Sequence, residues 1–457
     1  MSRWRERGKA QKDGALSKIR SRGRYLSLLS AAGHVKRKEA HVKNVGSYLI
    51  ARVFAIALYL VPVPLFIEHH GSASYGTLTL LLLVFSYSQF FDLGVGYAVN
   101  QRLARAVARK SGRLTVIVQS AVPLFVLFGI AMSATLLLLS KQLGMFLFDQ
   151  TEHVYAIKAI AVAMGLLTLD ALPVAVLQAY NRVDWINYSR LLIDTARAIG
   201  VLVGAFMAHG ILIAVAFTIG GVVTKTLVDI ILSNRLLAGP FAFRPRFARR
   251  SSVLNMRLGL PMVVSVVFGM LMTSVDRVFV GKVFGQAVLA HYAVGADLCS
   301  RAYFLVWAIT GSIYTLYVRR RANRQSADDL IRVSLISVGI VTIGFYLPLA
   351  VFAKEIISIW ISPAFAVSSV AVTRIWAAAA VAYLVVCVYY NHLRGFGMPG
   401  VLAASGLIGV VTLGAGLWVL PGWFDVTGVA LAVFLGFAVQ ALFLWQWSLK
   451  VRRQAAT

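Results

Sequence analysis

The sequence predicts an all-α membrane protein with twelve transmembrane helices, arranged as two pseudo-symmetric six-helix lobes around a central cleft. Three observations carry that prediction. Hydrophobic residues make up 59% of the 457-residue chain and charged residues only 14%, against about 25% charged in a soluble domain. The apolar residues fall into twelve stretches, each near the ~20 residues that a helix needs to cross the hydrocarbon core. Lys and Arg alternate in abundance between successive connecting segments, 35 on one side against 3 on the other. That asymmetry places the rich side, with both termini, in the cytoplasm. It also accounts for most of the net charge of +28, so no nucleic-acid partner is needed to explain it.

Residues 1–46 hold 13 Lys/Arg against three acids. They have little hydrophobic periodicity, which predicts a mostly disordered cytoplasmic tail. Its basic residues suit an anionic lipid surface, at ~1 kcal/mol per residue near it. No apolar core follows the N-terminus, so no cleavable signal peptide is expected.

The predicted spans are 47–67, 75–99, 115–139, 154–179, 188–208, 211–233, 258–281, 287–316, 331–352, 367–390, 400–420 and 427–448. Spans 1–6 form an N-lobe, 47–234. A basic linker with Pro240 and Pro245, 235–257, leads into a C-lobe, 258–449, and a short tail, 450–457. Weak internal similarity supports the division. Tyr180-Asn181-Arg182 closes span 4, and Tyr390-Asn391, then Arg394, closes span 10 at an offset of 210. Tyr75 opens span 2 and Tyr292 sits near the start of span 8, offset by 217. Six spans per half is even, so both halves insert the same way round, about an axis along the membrane normal.

Charges inside the spans are the candidate functional residues, because a charge in the bilayer centre costs roughly 2.5–3.5 kcal/mol on insertion scales. At 1.5 Å per helical residue, Arg197, Asp297, Arg301 and Arg374 lie about 12–20 Å deep, near the midplane. Three of these four are cationic, which suits an anionic substrate such as a diphosphate, since guanidinium grips phosphate bidentately. Arg52 joins them as a candidate cleft residue. Asp276, Arg277, Asp194 and Asp92 lie nearer the faces and are candidates for gating or coupling. Two readings of the (i, i+4) pairs Arg190/Asp194 and Lys225/Asp229 stand: cavity lining, or mutual neutralisation that locks helix packing. Ser265, Gly269, Met272 and Asp276 share one face of span 7, a stripe suited to lining the cleft.

No nucleotide-binding loop, nucleophile motif or paired His/Cys ligand spacing is present in the sequence, so the chain reads as a non-enzyme with no cofactor and no metal. Cys299 and Cys387 fall within apolar stretches, and no disulfide is expected. Without an ATP site, transport would draw on a coupling ion (H+ or Na+), the membrane potential or a substrate gradient.

Span 2 closes with Phe90–Arg105, FFDLGVGYAVNQRLAR. Span 7 opens Gly259-Leu260-Pro261 and carries Asp276-Arg277, then Gly281 and Gly285. With the Tyr-Asn turns after spans 4 and 10, these stretches resemble the polysaccharide branch of the multidrug/oligosaccharidyl-lipid/polysaccharide (MOP) exporter superfamily, over about residues 45–450. The resemblance implies a V-shaped cleft between two six-helix lobes in the bacterial inner membrane. It implies alternating-access movement of a lipid-linked oligosaccharide, in association with polysaccharide polymerase or glycosyltransferases. It assigns Asp92, Gly94 and Gly96 to the family's second-helix motif and Asp276 and Arg277 to its seventh-helix motif. Two other functions fit the same residues: a cation-coupled multidrug antiporter of that superfamily, and a non-transporting scaffold for a polysaccharide synthase.

Overall fold

The computed structural model describes residues 46, 50–51, 53–86, 95–109, 114–237, 243–246, 248–303, 306, 310, 313, 316–317, 320–321 and 326–456, with backbone alone at 97, 108, 249–250, 257–266 and 453–456. Arg52, Asp92, Gly94, the Ser265 side chain and the basic tail before residue 46 lie outside the described residues. No strand occurs among the described residues.

The first helix, α1, is Val53–Phe85, and it is two limbs rather than one. Gly71 breaks it with φ 77°, a backbone conformation that only glycine adopts without strain. The limbs correspond to predicted spans 1 and 2. There follow α2 (Val95–Ala108), α3 (Leu114–Leu138), α4 (Ser140–Phe148), α5 (Val154–Ala179), α6 (Val183–Ala205) and α7 (Gly210–Leu236). The second half comprises α8 (Arg249–Val283), α9 (Gln286–Ser300), α10 (Asp328–Val351), α11 (Ala353–Trp360), α12 (Pro363–Gly395), α13 (Pro399–Val419) and α14 (Pro421–Ala456). Proline opens α12, α13 and α14, where its missing N–H is not needed. At α12 the Ser362 side chain also caps the Phe365 amide at 3.2 Å. The α5–α6 turn is made by Asn181 at φ 58°, a left-handed position that asparagine tolerates.

Eight described helices are long and apolar enough to cross a membrane. The count of twelve is not reproduced on that criterion, and the shortfall has identifiable causes. Spans 1 and 2 share α1. Span 5 is α6, which Arg190, Asp194 and Arg197 interrupt. Span 7 is α8, part of whose side chains are not described. Span 8 is described continuously only as α9, 15 residues, and beyond it at scattered helical positions, so the criterion does not cover it. The spans that fall short include those that carry Arg197, Arg277, Asp297 and Arg301. Within the expected linker 235–257, α7 continues to Leu236 and α8 begins at Arg249.

Packing sorts the helices into two sets. In the first half α6 packs on α7, α3 and α7 on α5, and the α1 limbs on α6. In the second, α13 and α12 pack on α14, and α9 and α11 on α12. The sets meet where α1 lies against α9 and α2 against α8. At this seam Gly76 touches Gln286 so closely that an added Cβ would overlap its backbone carbonyl. Small residues permit such close approach between membrane helices.

Candidate functional site

At the seam, below Gly76, the α1 limbs, α6, α8 and α9 enclose a cavity of about 240 Å³. Five charged side chains line it: Asp194 and Arg197 from α6, Arg277 from α8, Asp297 from α9 and Arg301 just beyond it. They come from three separate helices of both halves, and α1 adds Tyr59 and Tyr75. The spacing on α6 explains its share, since residues three apart lie on one face.

The charges are arranged unequally. Arg277 Nη2 donates to Asp297 Oδ1 at 2.6 Å, and the Tyr59 hydroxyl donates to Asp297 Oδ2 at 3.4 Å. The Tyr59 and Tyr75 hydroxyls are 3.3 Å apart. Arg301 makes no ion pair among the described residues; its guanidinium stacks 3.9 Å above the Tyr59 ring. Arg197 likewise has no carboxylate partner among the described residues and lies 5.7 Å from the Phe85 ring. The Nε atoms of Arg197, Arg277 and Arg301 are all buried with no hydrogen-bond acceptor. Three guanidinium groups against two carboxylates leave the cavity cationic, with donors pointing at no protein acceptor. In a low-dielectric interior such donors are costly unless a ligand or water supplies acceptors. An acceptor-rich anion meets that need.

Five of the residues singled out from sequence therefore meet in space: Arg197, Asp297, Arg301, Asp194 and Arg277, the last although counting along its span had set it nearer the outer gate. Arg374 does not. It is exposed on α12, and its Nε donates to the Ala350 carbonyl at 3.0 Å. The face of α12 that meets α9 is Ser369–Thr373, both fully buried, and Arg374 lies about 100° round the helix from Thr373. Depth was readable; the direction of the side chain was not. Asp276 is also absent from the cavity. It is fully buried and accepts from the Tyr292 hydroxyl at 2.6 Å, while Tyr292 packs edge-on to Trp376. Its stripe-mates Gly269 and Met272 line a different cavity, of about 390 Å³, inside the second half. The described members of the predicted polar stripe of span 7 thus face away from the central cavity, and among the described side chains of α8 Arg277 is the one that lines it.

The Lys225/Asp229 pair has a third member that sequence spacing could not supply. Lys225 Nζ donates to Asp229 Oδ2 at 2.6 Å and also to Asp170 Oδ2 on α5. All three side chains are buried. The triad ties α5 to α7 and does not line the cavity, which is the packing role left open above.

Two groups of contacts cross between the halves. Towards the α8–α9 turn, Lys282 pairs with Asp149, and Gln286 Nε2 donates to the Leu147 carbonyl at 3.2 Å. Trp360 Nε1 donates to the Leu60 carbonyl at 2.6 Å. At the opposite end, Arg102 Nη1 donates to Ser251 Oγ at 2.8 Å and to Asn255 Oδ1 at 2.5 Å. No group of His, Cys, Asp and Glu among the described residues could hold a metal ion.

Residues 71–370 match the family model described as polysaccharide biosynthesis protein. No curated protein matches the sequence. Solved structures similar to this chain include an inward-facing multidrug resistance MATE family transporter of the MOP superfamily. Its TM-score is 0.72 at 13% identity, over 90% of this chain and 99% of that one. The lipid II flippase MurJ, in an inward closed conformation, gives 0.71 at 15% identity over 90% of each chain. A MOP superfamily transporter from Pyrococcus furiosus, noted for a binding pocket of reverse polarity, gives 0.66 at 13% identity, over 92% and 97%. At these identities the likeness is one of fold.

Proposed function

The chain belongs to the polysaccharide biosynthesis protein family, and on that premise we propose that it is an inner-membrane flippase for polyprenyl-diphosphate-linked oligosaccharide repeat units of surface polysaccharide. The observation that carries this reading is the convergence of Arg197, Arg277 and Arg301 on one cavity, with Nε atoms that no protein acceptor satisfies. A diphosphate supplies both negative charge and acceptor oxygens, and Arg recognises it through its planar fork. The lipid II flippase has a similar fold and handles a lipid-linked substrate of the same general kind.

In this reading the sugar-diphosphate head enters the cavity while the polyprenyl chain stays in lipid. The Arg277–Asp297 pair keeps one guanidinium in reserve: an arriving diphosphate competes with Asp297 for it. Tyr59 positions Asp297 by its hydroxyl and Arg301 by its ring. Two lobes, 47–234 and 258–449, joined by the cytoplasmic linker 235–257, would rock about the α1–α9 seam, with both termini in the cytoplasm. Opening to the outside then requires release of the Lys282–Asp149, Gln286–Leu147 and Trp360–Leu60 contacts. H+ or Na+ coupling, a lipid-bound basic tail and association with polymerase or glycosyltransferases remain part of the proposal.

The multidrug transporter of similar fold favours a second reading, drug antiport. The three-Arg cavity weighs against it, because a cationic drug would meet like charge there. A deletion strain separates the two. Loss of surface polysaccharide with lipid-linked units retained on the cytoplasmic face supports the flippase; normal polysaccharide with raised drug sensitivity supports the antiporter.

A further inference from the structure

A third cavity, of about 600 Å³, lies at the end of the helices that the charge asymmetry assigns to the outer face. Its walls include Ser74 and Thr77 on the second limb of α1, Glu152 and Tyr155 at the start of α5, His209 at the α6–α7 hairpin and Gln286 at the start of α9. No Lys or Arg lines it. The lining mixes hydroxyl, amide, imidazole and a single carboxylate, so donors and acceptors are both present at close spacing. Tyr155 is 77% exposed at its rim, which leaves an aromatic ring for a ligand to stack on. Gln286 Oε1 is buried without a donor, while its Nε2 is committed to the seam.

This cavity shares a wall with the cationic one. Ser74 and Thr77 face it, whereas Tyr75 and Leu78, on the other side of the same helical turn, face the Arg cluster. One helix, about 10 Å across with its side chains, therefore separates a cationic cavity from a polar one with no Lys or Arg among its described lining residues. A chain of sugars attached to a diphosphate has the same order of chemistry: a compact anion, then a polyhydroxylated and uncharged stretch. Sugars are held by hydrogen bonds to side chains that both donate and accept, and by stacking of their C–H faces on aromatic rings.

We propose that this outer cavity is a glycan-binding site that holds the oligosaccharide segment of the substrate once its diphosphate has reached the Arg cluster. The proposal rests on the flippase reading and its orientation. It adds that substrate selection by sugar identity happens at Glu152, Tyr155 and His209, and not in the cationic cavity.

The test uses full-length protein in detergent and the free oligosaccharide released by mild acid from the lipid carrier of the strain that makes the protein. Saturation-transfer NMR reads contact with sugar protons. Wild type and Arg374→Ala, whose side chain lies outside both cavities, give transfer of equal strength, and the double variant Glu152→Gln/Tyr155→Ala weakens binding by about tenfold, the scale of one lost charge-assisted hydrogen bond. His209→Ala, a single change at a hairpin, gives a smaller loss and guards against misfolding of the double variant, whose thermal melt is run alongside. Absence of transfer in wild type, unchanged transfer in both outer-cavity variants, or loss of transfer in Arg374→Ala overturns the proposal. The flippase reading is judged separately, by export in Arg301→Ala cells, so either can fall while the other stands.

Discussion

Arg301→Ala separates a binding role for the cavity from a structural one. Arg301 has no ion pair among the described residues, its Nε has no acceptor, and its guanidinium stacks on the Tyr59 ring at 3.9 Å. Loss of that stacking costs stability about 2 kcal/mol, the scale of a desolvated cation–π pair. Loss of a guanidinium fork on a diphosphate costs substrate binding about 1.5–3 kcal/mol, roughly a ten- to hundredfold fall in translocation rate at limiting substrate. Arg301→Lys keeps the charge without the fork and recovers only part of it. Arg277→Ala is the structural comparison. It leaves Asp297, paired at 2.6 Å with side chains 15% and 20% exposed, without its cation, and destabilises the protein by roughly 2–3 kcal/mol. The assay pairs thermal unfolding of purified variants with lipid-linked oligosaccharide translocation in cells lacking the native gene. Wild-type translocation in Arg301→Ala refutes the assignment of Arg301 to substrate.

Three further outcomes follow from the same geometry. Lys225→Met strands Asp170 and Asp229 in the bundle and lowers stability by about 3–5 kcal/mol; the triple change Lys225→Met/Asp170→Asn/Asp229→Asn recovers most of it, as read by thermal melts. Arg374→Ala leaves polysaccharide export at wild-type level, because the side chain is exposed and bonds only the Ala350 carbonyl; an export defect would put Arg374 back in the substrate path. Gly76→Val forces the α1–α9 seam apart at Gln286, so cysteine cross-linking across the outer contacts falls while the protein still inserts; unchanged cross-linking contradicts the seam.

The fold class was legible because membrane insertion writes itself into composition and loop charge, both of which act locally along the chain. Helix starts were read to within a few residues where the apolar run begins sharply, as at α13, placed at 400 against Pro399, and less well at α8, whose basic, serine-containing first turns look like linker. Counting residues along each span singled out Arg197, Asp297 and Arg301, which line one cavity. Direction around the helix did not follow, since it is set by packing partners that a single span does not reveal. Asp276 and Arg277 are adjacent in sequence yet point to different places: one to Tyr292, the other to Asp297. Arg374 shares its depth with Arg197 but turns to α10. Tyr59 went unnoticed because an aromatic residue in an apolar span looks like ordinary core. Asp170 carried no pairing signal in the sequence, because its partner lies 55 residues away on another helix.

The central claim is that the Arg cluster binds a diphosphate, and direct binding tests it without the complication of transport. Purified protein in nanodiscs is titrated with undecaprenyl diphosphate and, separately, with uncharged undecaprenol, for wild type and for Arg197→Ala/Arg301→Ala. Tight binding of the diphosphate by wild type, a loss of about a hundredfold or more in the double variant, and indifference of undecaprenol to the substitutions are the predicted results. Equal diphosphate affinity in wild type and double variant would contradict the account.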